Sequence, residues 1–133
     1  MAQTTPAPAS GPGDFAGTWT LGGEVMARNG GGYYYVHGVA SAKHIGGGAY
    51  TISIVAVEPH WKPGEVIQPF SARQKCTGQQ TGTALSISCT VTTGTPGYYP
   101  DEFKLDRTNS SSWGGSMAIG NTGRRMKVNF YKI

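Results

Sequence analysis

Phe70-Ser71-Ala72-Arg73-Gln74-Lys75-Cys76 and, past a polar turn, Leu85-Ser86-Ile87-Ser88-Cys89 are the stretch whose reading decides the fold. Phe70, Ala72 and Cys76 share one parity against Ser71, Arg73 and Lys75. Leu85, Ile87 and Cys89 do the same against Ser86 and Ser88. Successive side chains of an extended chain point to opposite faces, so a period of two reads as a strand with one buried and one wet face. Folding the two runs back on each other around residues 79–82 makes an antiparallel hairpin in which both cysteines point inward and oppose each other, within disulfide reach. Two buried free thiols would also pack. A Cys76–Cys89 disulfide is the expectation, given two cysteines on a matching hairpin.

The same alternation runs through the rest of the chain. Trp19 and Leu21 alternate with Thr18 and Thr20; Tyr34, Val36 and Ala40 oppose Tyr33, Tyr35 and His37; Tyr50, Ile52 and Ile54 oppose Thr51 and Ser53. Phe103 and Leu105, then Trp113, Met117 and Ile119, continue the pattern, and Met126, Val128 and Phe130 close it against Lys127, Asn129 and Tyr131. That makes about eight strands. Glycine- and polar-rich connectors at residues 29–32, 46–48, 77–82, 109–112 and 120–123 suit turns. No window repeats apolar residues at helical spacing. Eight short antiparallel strands leave edges exposed unless the sheet closes, so the fold is expected to be all-β, a single antiparallel up-and-down barrel. A two-sheet sandwich is the other solution, and a β-trefoil would demand a threefold repeat that the chain lacks.

A length of 133 residues suits one domain, and the low share of charged residues (14%) with 21 glycines fits many turns rather than a helical bundle. The net charge of +4 is scattered, with only Arg124 and Arg125 adjacent, and no basic stripe interleaves with aromatics, so no nucleic-acid partner is expected. No apolar run approaches the ~18 residues of a membrane-spanning helix. Residues 1–13, rich in Pro, Ala, Ser and Gly, are expected to be a flexible leader before a barrel domain over residues 14–133. They read as the mature start of a secreted or periplasmic protein with an added Met, a setting that also permits the disulfide.

Phe15-Ala16-Gly17-Thr18-Trp19 resembles the first-strand signature of the lipocalins and their barrel relatives, the avidin-like proteins. The resemblance implies a closed antiparallel barrel in which Gly17 lets the entering chain approach closely and Trp19 plugs the base. Lipocalins add a helix and a late basic residue stacked on the Trp; no helix is expected here, and Lys132 stands where an Arg would be. Avidin-like proteins lack the helix and are the closer shape. Their polar biotin-binding set is not assembled by this sequence.

In an up-and-down barrel alternate loops share an end. The connections at residues 28–32, 59–66, 93–101 and 120–123 would crown one mouth. They include the two longest loops and carry His60, Trp61, Lys62, Tyr98 and Tyr99, with Arg28 and Arg124 beside them. Aromatics for apolar contact and cations for orientation suit a ligand-admitting mouth, although loop aromatics also fold onto the core they connect. The inward aromatics, Phe70, Phe103, Phe130, Tyr34, Tyr50 and Trp113, crowd an eight-stranded barrel and restrict any pocket to something small or shallow. Tyr33, Tyr35 and His37 form a second candidate surface, for a sugar or protein.

No nucleophile elbow, His-Glu-x-x-His or phosphate-binding glycine loop is present, and the carboxylates form no obvious pair at one strand end. Glu58, His60 and Asp101 at the mouth are the residues that would serve as acid and base. His37, His44 and His60 are too dispersed for a metal site, and no cofactor is expected. The leading expectation is an exported, non-catalytic barrel holding a small apolar or amphipathic ligand. A protein-interaction module such as a hydrolase inhibitor or immunity-type protein, and a small barrel enzyme for a small hydrophobic substrate, are the alternatives. The sequence leaves the oligomeric state open.

Overall fold

The computed structural model describes Gly11 and residues 13–133. Most of the expected leader over residues 1–13 therefore lies outside the described residues. Eleven strands follow in chain order: β1 (Gly17–Gly23), β2 (Met26–Ala27), β3 (Tyr33–Tyr34), β4 (His37–Gly46), β5 (Ala49–Glu58), β6 (His60–Trp61), β7 (Phe70–Thr81), β8 (Ala84–Gly94), β9 (Glu102–Asn109), β10 (Ser112–Ala118) and β11 (Arg125–Lys132). Eight of them close a barrel in the order β1-β11-β10-β9-β8-β7-β5-β4, with β4 pairing back onto β1. Each barrel strand is antiparallel to both neighbours, so the barrel is up-and-down and has no free edge.

The period of two decides what lies inside. β7 alternates exposed and buried from Ser71 to Thr81, and β5 and β11 do so along their length. The hairpin of β7 and β8 pairs Cys76 directly with Cys89 and joins them in a disulfide. Its turn is tighter than the composition of residues 77–82 suggests. Gln79, Gln80 and Thr81 stay in the ladder, and only Gly82 and Thr83 turn the chain. Gly82, at φ 61°, takes the first turn position, where a left-handed backbone is needed and glycine alone adopts it without strain.

One end of the barrel is plugged. Phe15 stacks on Trp19 with ring centroids 4.9 Å apart, the Trp19 indole N–H donates to the Phe15 carbonyl (2.9 Å), and both rings are fully buried. Tyr50 accepts the Phe15 amide (3.1 Å) and donates to Gln80 Oε1 (2.6 Å), while Gln80 Nε2 donates to the Gly11 carbonyl (3.0 Å). Lys132 places its ammonium 5.5 Å from the Trp19 ring centroid and donates to the Ala16 carbonyl. Gly17, at φ 122°, lies against it; a Cβ there would meet Lys132 Cε at 3.3 Å. Lys132 thus supplies the cation over the tryptophan, and a closed eight-stranded barrel is the architecture that the Gly17-x-Trp19 resemblance implies.

Two residues read as inward barrel positions, Tyr34 and Phe70, stand at the rim and are only partly buried. The Tyr33–His37 run is not one barrel strand: the β1–β4 ladder ends at Gly22 with His37, one further bond joins the Gly23 amide to the Val36 carbonyl (2.8 Å), and before that the Tyr35 amide donates to the Pro59 carbonyl and not to β1. Tyr33 and Tyr34 pair instead with β2 and β6 in a separate three-stranded sheet above the rim. Phe70 shares the parity of Ala72 but is the first residue of β7, level with Glu58, so it stands half-exposed at the rim with its ring 5.0 Å from that of His60.

Candidate functional site

Strand direction puts four connections at the end opposite the plug, those between β1 and β4, β5 and β7, β8 and β9, and β10 and β11. Between them opens a cavity of about 160 Å³ whose lining includes Tyr34, Glu58, Phe70, Tyr98, Asp101 and Met117, with Tyr99, Ile119 and Met126 beside them. Below it the barrel is filled: Trp19, Trp113, Tyr50, Phe103 and Phe130 are all fully buried. The space above them is what remains open to a ligand.

Asp101 is the chemical centre of this cavity. Gln74 Nε2 and the Tyr98 hydroxyl donate to Asp101 Oδ2 at 2.7 and 3.0 Å, and the Asp101 amide donates back to Gln74 Oε1 at 2.9 Å. Burial pushes the Asp101 carboxyl up to about 6; the two donors pull it down, and the charge of Glu58 pushes it up. Burial also raises the Tyr98 phenol, with the Asp101 charge acting the same way, so Tyr98 stays a donor at any physiological pH.

A second layer holds Glu58. His60 Nε2 lies 2.9 Å from Glu58 Oε1, and Arg28 Nε donates to His60 Nδ1 at 3.0 Å. A guanidinium only donates, so His60 Nδ1 accepts and the ring proton sits on Nε2, facing the carboxylate. Tyr34 stacks on His60 (5.1 Å, 9° between planes), and the Phe70 ring lies 5.0 Å from His60, tilted by 41°.

Of the residues expected at the mouth, Tyr98 and Tyr99 line the cavity. Arg28 and His60 stand behind Glu58, and Arg124 lies close enough to Tyr34 for its charge to act on the phenol. Trp61 and Lys62 stay outside the cavity. Trp61 is 58% exposed and lies parallel to Tyr33 at 6.1 Å, and Lys62 pairs with Glu65 at 3.2 Å. Glu58 and Asp101, the two carboxylates expected at the mouth, line one cavity. Gln74, which holds Asp101, and Phe70, Met117 and Met126, which line the cavity, are not among the residues expected at the mouth. For Gln74 a signal existed, a polar residue at inward parity between Ala72 and Cys76.

Among the described residues no helix is long and apolar enough to cross a membrane, and no three His, Cys, Asp or Glu side chains converge as metal ligands. The chain matches no protein-family model, and no curated protein matches it.

The charge on Asp101 has a consequence for stability. A carboxyl whose folded pKa lies above its unfolded value of ~3.9 binds more protons in the native state between the two, so its contribution falls as pH rises from about 4 to 6 and is flat above. The expected loss is on the order of 3 kcal/mol. Glu102 behaves oppositely: its bond to Arg125 holds its carboxyl down, so its contribution is present above its unfolded pKa and is lost at lower pH. Asp101→Asn should remove the slope between about pH 4 and 6 in urea-denaturation series, leaving the acid limb intact.

Proposed function

We propose that the barrel binds a small amphipathic molecule at its mouth, apolar body inward against Met117 and Met126, and a hydrogen-donating head, best an amine, at Asp101. The observation that carries this reading is a cavity of about 160 Å³ with apolar walls and one buried carboxyl held in place by Gln74 and Tyr98. A volume of this order accommodates a single small ring, since an apolar cavity of about 150 Å³ takes benzene. Asp101 and Glu58 favour a cationic head, and neither lining nor network offers a cation inside the cavity for an acid. The disulfide supports an exported setting, where thiols are kept oxidised.

Benzylamine, benzyl alcohol and benzoate make a matched probe set. Benzylamine should bind best and should shift the Met117 and Met126 methyl resonances. Asp101→Asn should weaken it by about 1.4 kcal/mol or more, tenfold in affinity, with little change for the alcohol. Its affinity should fall as pH drops through about 6, where Asp101 takes up a proton. Tightest binding of benzoate, or methyl shifts for none of the three, sinks this reading. Binding of a protein lost on replacing Tyr33 and Trp61, the exposed stacked pair, would favour the interaction-module alternative.

A further inference from the structure

The barrel carries a second, larger concavity on its outer face, far from the mouth chemistry. β4, β5, β7 and β8 are its longest strands, at 10, 10, 12 and 11 residues, and across them lies a hollow of about 700 Å³. The strand register explains its lining. One cross-strand row runs Ser41, Ser53, Lys75, Thr90, and the next runs Lys43, Thr51, Thr77, Ser88. All eight side chains are exposed, and the Cys76–Cys89 disulfide lies in the floor beneath them. The result is a rigid, braced surface of hydroxyls with two lysines, and Arg73, two residues before Lys75 on the same face of β7, stands next to the hollow's lining.

Its charge is uncompensated. The ion pairs among the described residues are Asp14 with Arg107, Glu58 with His60, Glu65 with Lys62 and Glu102 with Arg125, so none reaches Lys43, Arg73 or Lys75. The residues outside the described part contain no Asp or Glu. Three like charges on one sheet face repel one another and return nothing to the fold. An anionic partner would turn that repulsion into attraction.

The spacing narrows the partner. Lys43 and Lys75 sit two strands and two residues apart, about 12 Å between Cα atoms, so they address separated charges rather than one small anion. No aromatic ring lines the hollow on which a nucleobase would stack. The closed barrel offers no edge for an acidic peptide to join as a strand. Rows of Ser and Thr hydroxyls, each both donor and acceptor, suit the hydroxyls of a sugar.

We propose that the outer face of β4, β5, β7 and β8 binds an acidic polysaccharide, its sugar hydroxyls on the serine and threonine rows and its spaced anionic groups on Lys43, Lys75 and Arg73.

The test uses the full chain and two polymers of matched length, alginate as the acidic probe and dextran as the neutral one, with affinity measured by calorimetry at near-physiological salt. Alginate should bind and dextran should not. Lys43→Gln with Lys75→Gln should weaken alginate binding about tenfold or more, while Lys104→Gln with Lys127→Gln, cations elsewhere on the barrel, should change it less than about twofold. Thr51→Val with Thr77→Val, which keeps every charge, should also weaken it, and a thermal melt of each variant checks that the fold is retained. An equal loss in the Lys104/Lys127 pair, full competition by inorganic phosphate or by a DNA oligonucleotide, or no alginate binding overturns the proposal. The mouth variant Asp101→Asn should leave alginate affinity unchanged.

Discussion

Replacing Trp19 by Ala is expected to cost about 3–5 kcal/mol of stability, the range for truncating a fully buried aromatic. The loss has three parts that act at one place. The Phe15 ring loses the face it stacks on, the Phe15 carbonyl loses its indole donor, and Lys132 loses the ring beneath its ammonium. Phe15 also meets Tyr50, Trp113 and Phe130 edge-on, so a cavity at Trp19 loosens the whole aromatic plug. Urea denaturation of the variant measures this directly. Trp61→Ala is the control: its exposed ring should leave stability within about 0.5 kcal/mol. A comparable loss at Trp61 would mean that the rim sheet, and not only the plug, carries the fold.

Removing the disulfide by Cys76→Ala with Cys89→Ala should cost about 3 kcal/mol, because the bridge closes a loop with a sequence separation of 13 in the unfolded chain and so limits its conformational freedom. The double replacement leaves no buried thiol or hydroxyl to confuse the reading. The cost should appear in the denaturation midpoint, and reduction of the native chain should reproduce it. Because Cys76 and Cys89 already face each other across the ladder of β7 and β8, the oxidised and reduced chains should share the same hairpin register. Two free thiols found by mass spectrometry in chain isolated from its native compartment would contradict the bridge. A midpoint unmoved by the double variant would contradict the expected stabilisation.

Much of the fold was legible because barrels obey a short-range rule. Alternation at period two assigns every side chain of a strand to one face, and it read correctly through β5, β7 and β11 and for both cysteines. It failed at the rim, where alternation continues but pairing stops. Tyr33 and Tyr34 have the pattern of a barrel strand yet pair with β2 and β6, because β1 has no residue left to offer them. Phe70 has inward parity but stands at the rim, half-exposed beside the mouth cavity.

The candidate site was half legible for the same reason. Loop position placed Tyr98, Tyr99 and His60 at one end, and tertiary structure then sorted them. Tyr98 turned in to Asp101, His60 was taken up by Glu58 and Arg28, and Trp61 was left outside on Tyr33.

By itself, then, the sequence determined the all-β class, the inward faces, the cysteine pair, the Gly17-x-Trp19 base and the end at which the long loops gather. These depend on periodicity and on neighbours in one strand or hairpin. Only the tertiary structure decided the rest: that Asp101 is enclosed and its carboxyl lifted, that Gln74 holds it, and that Lys43, Lys75 and two rows of hydroxyls form one face. Those features join residues from different strands through register and barrel closure. A cavity or a patch exists only where such distant segments meet, and no local pattern records the meeting.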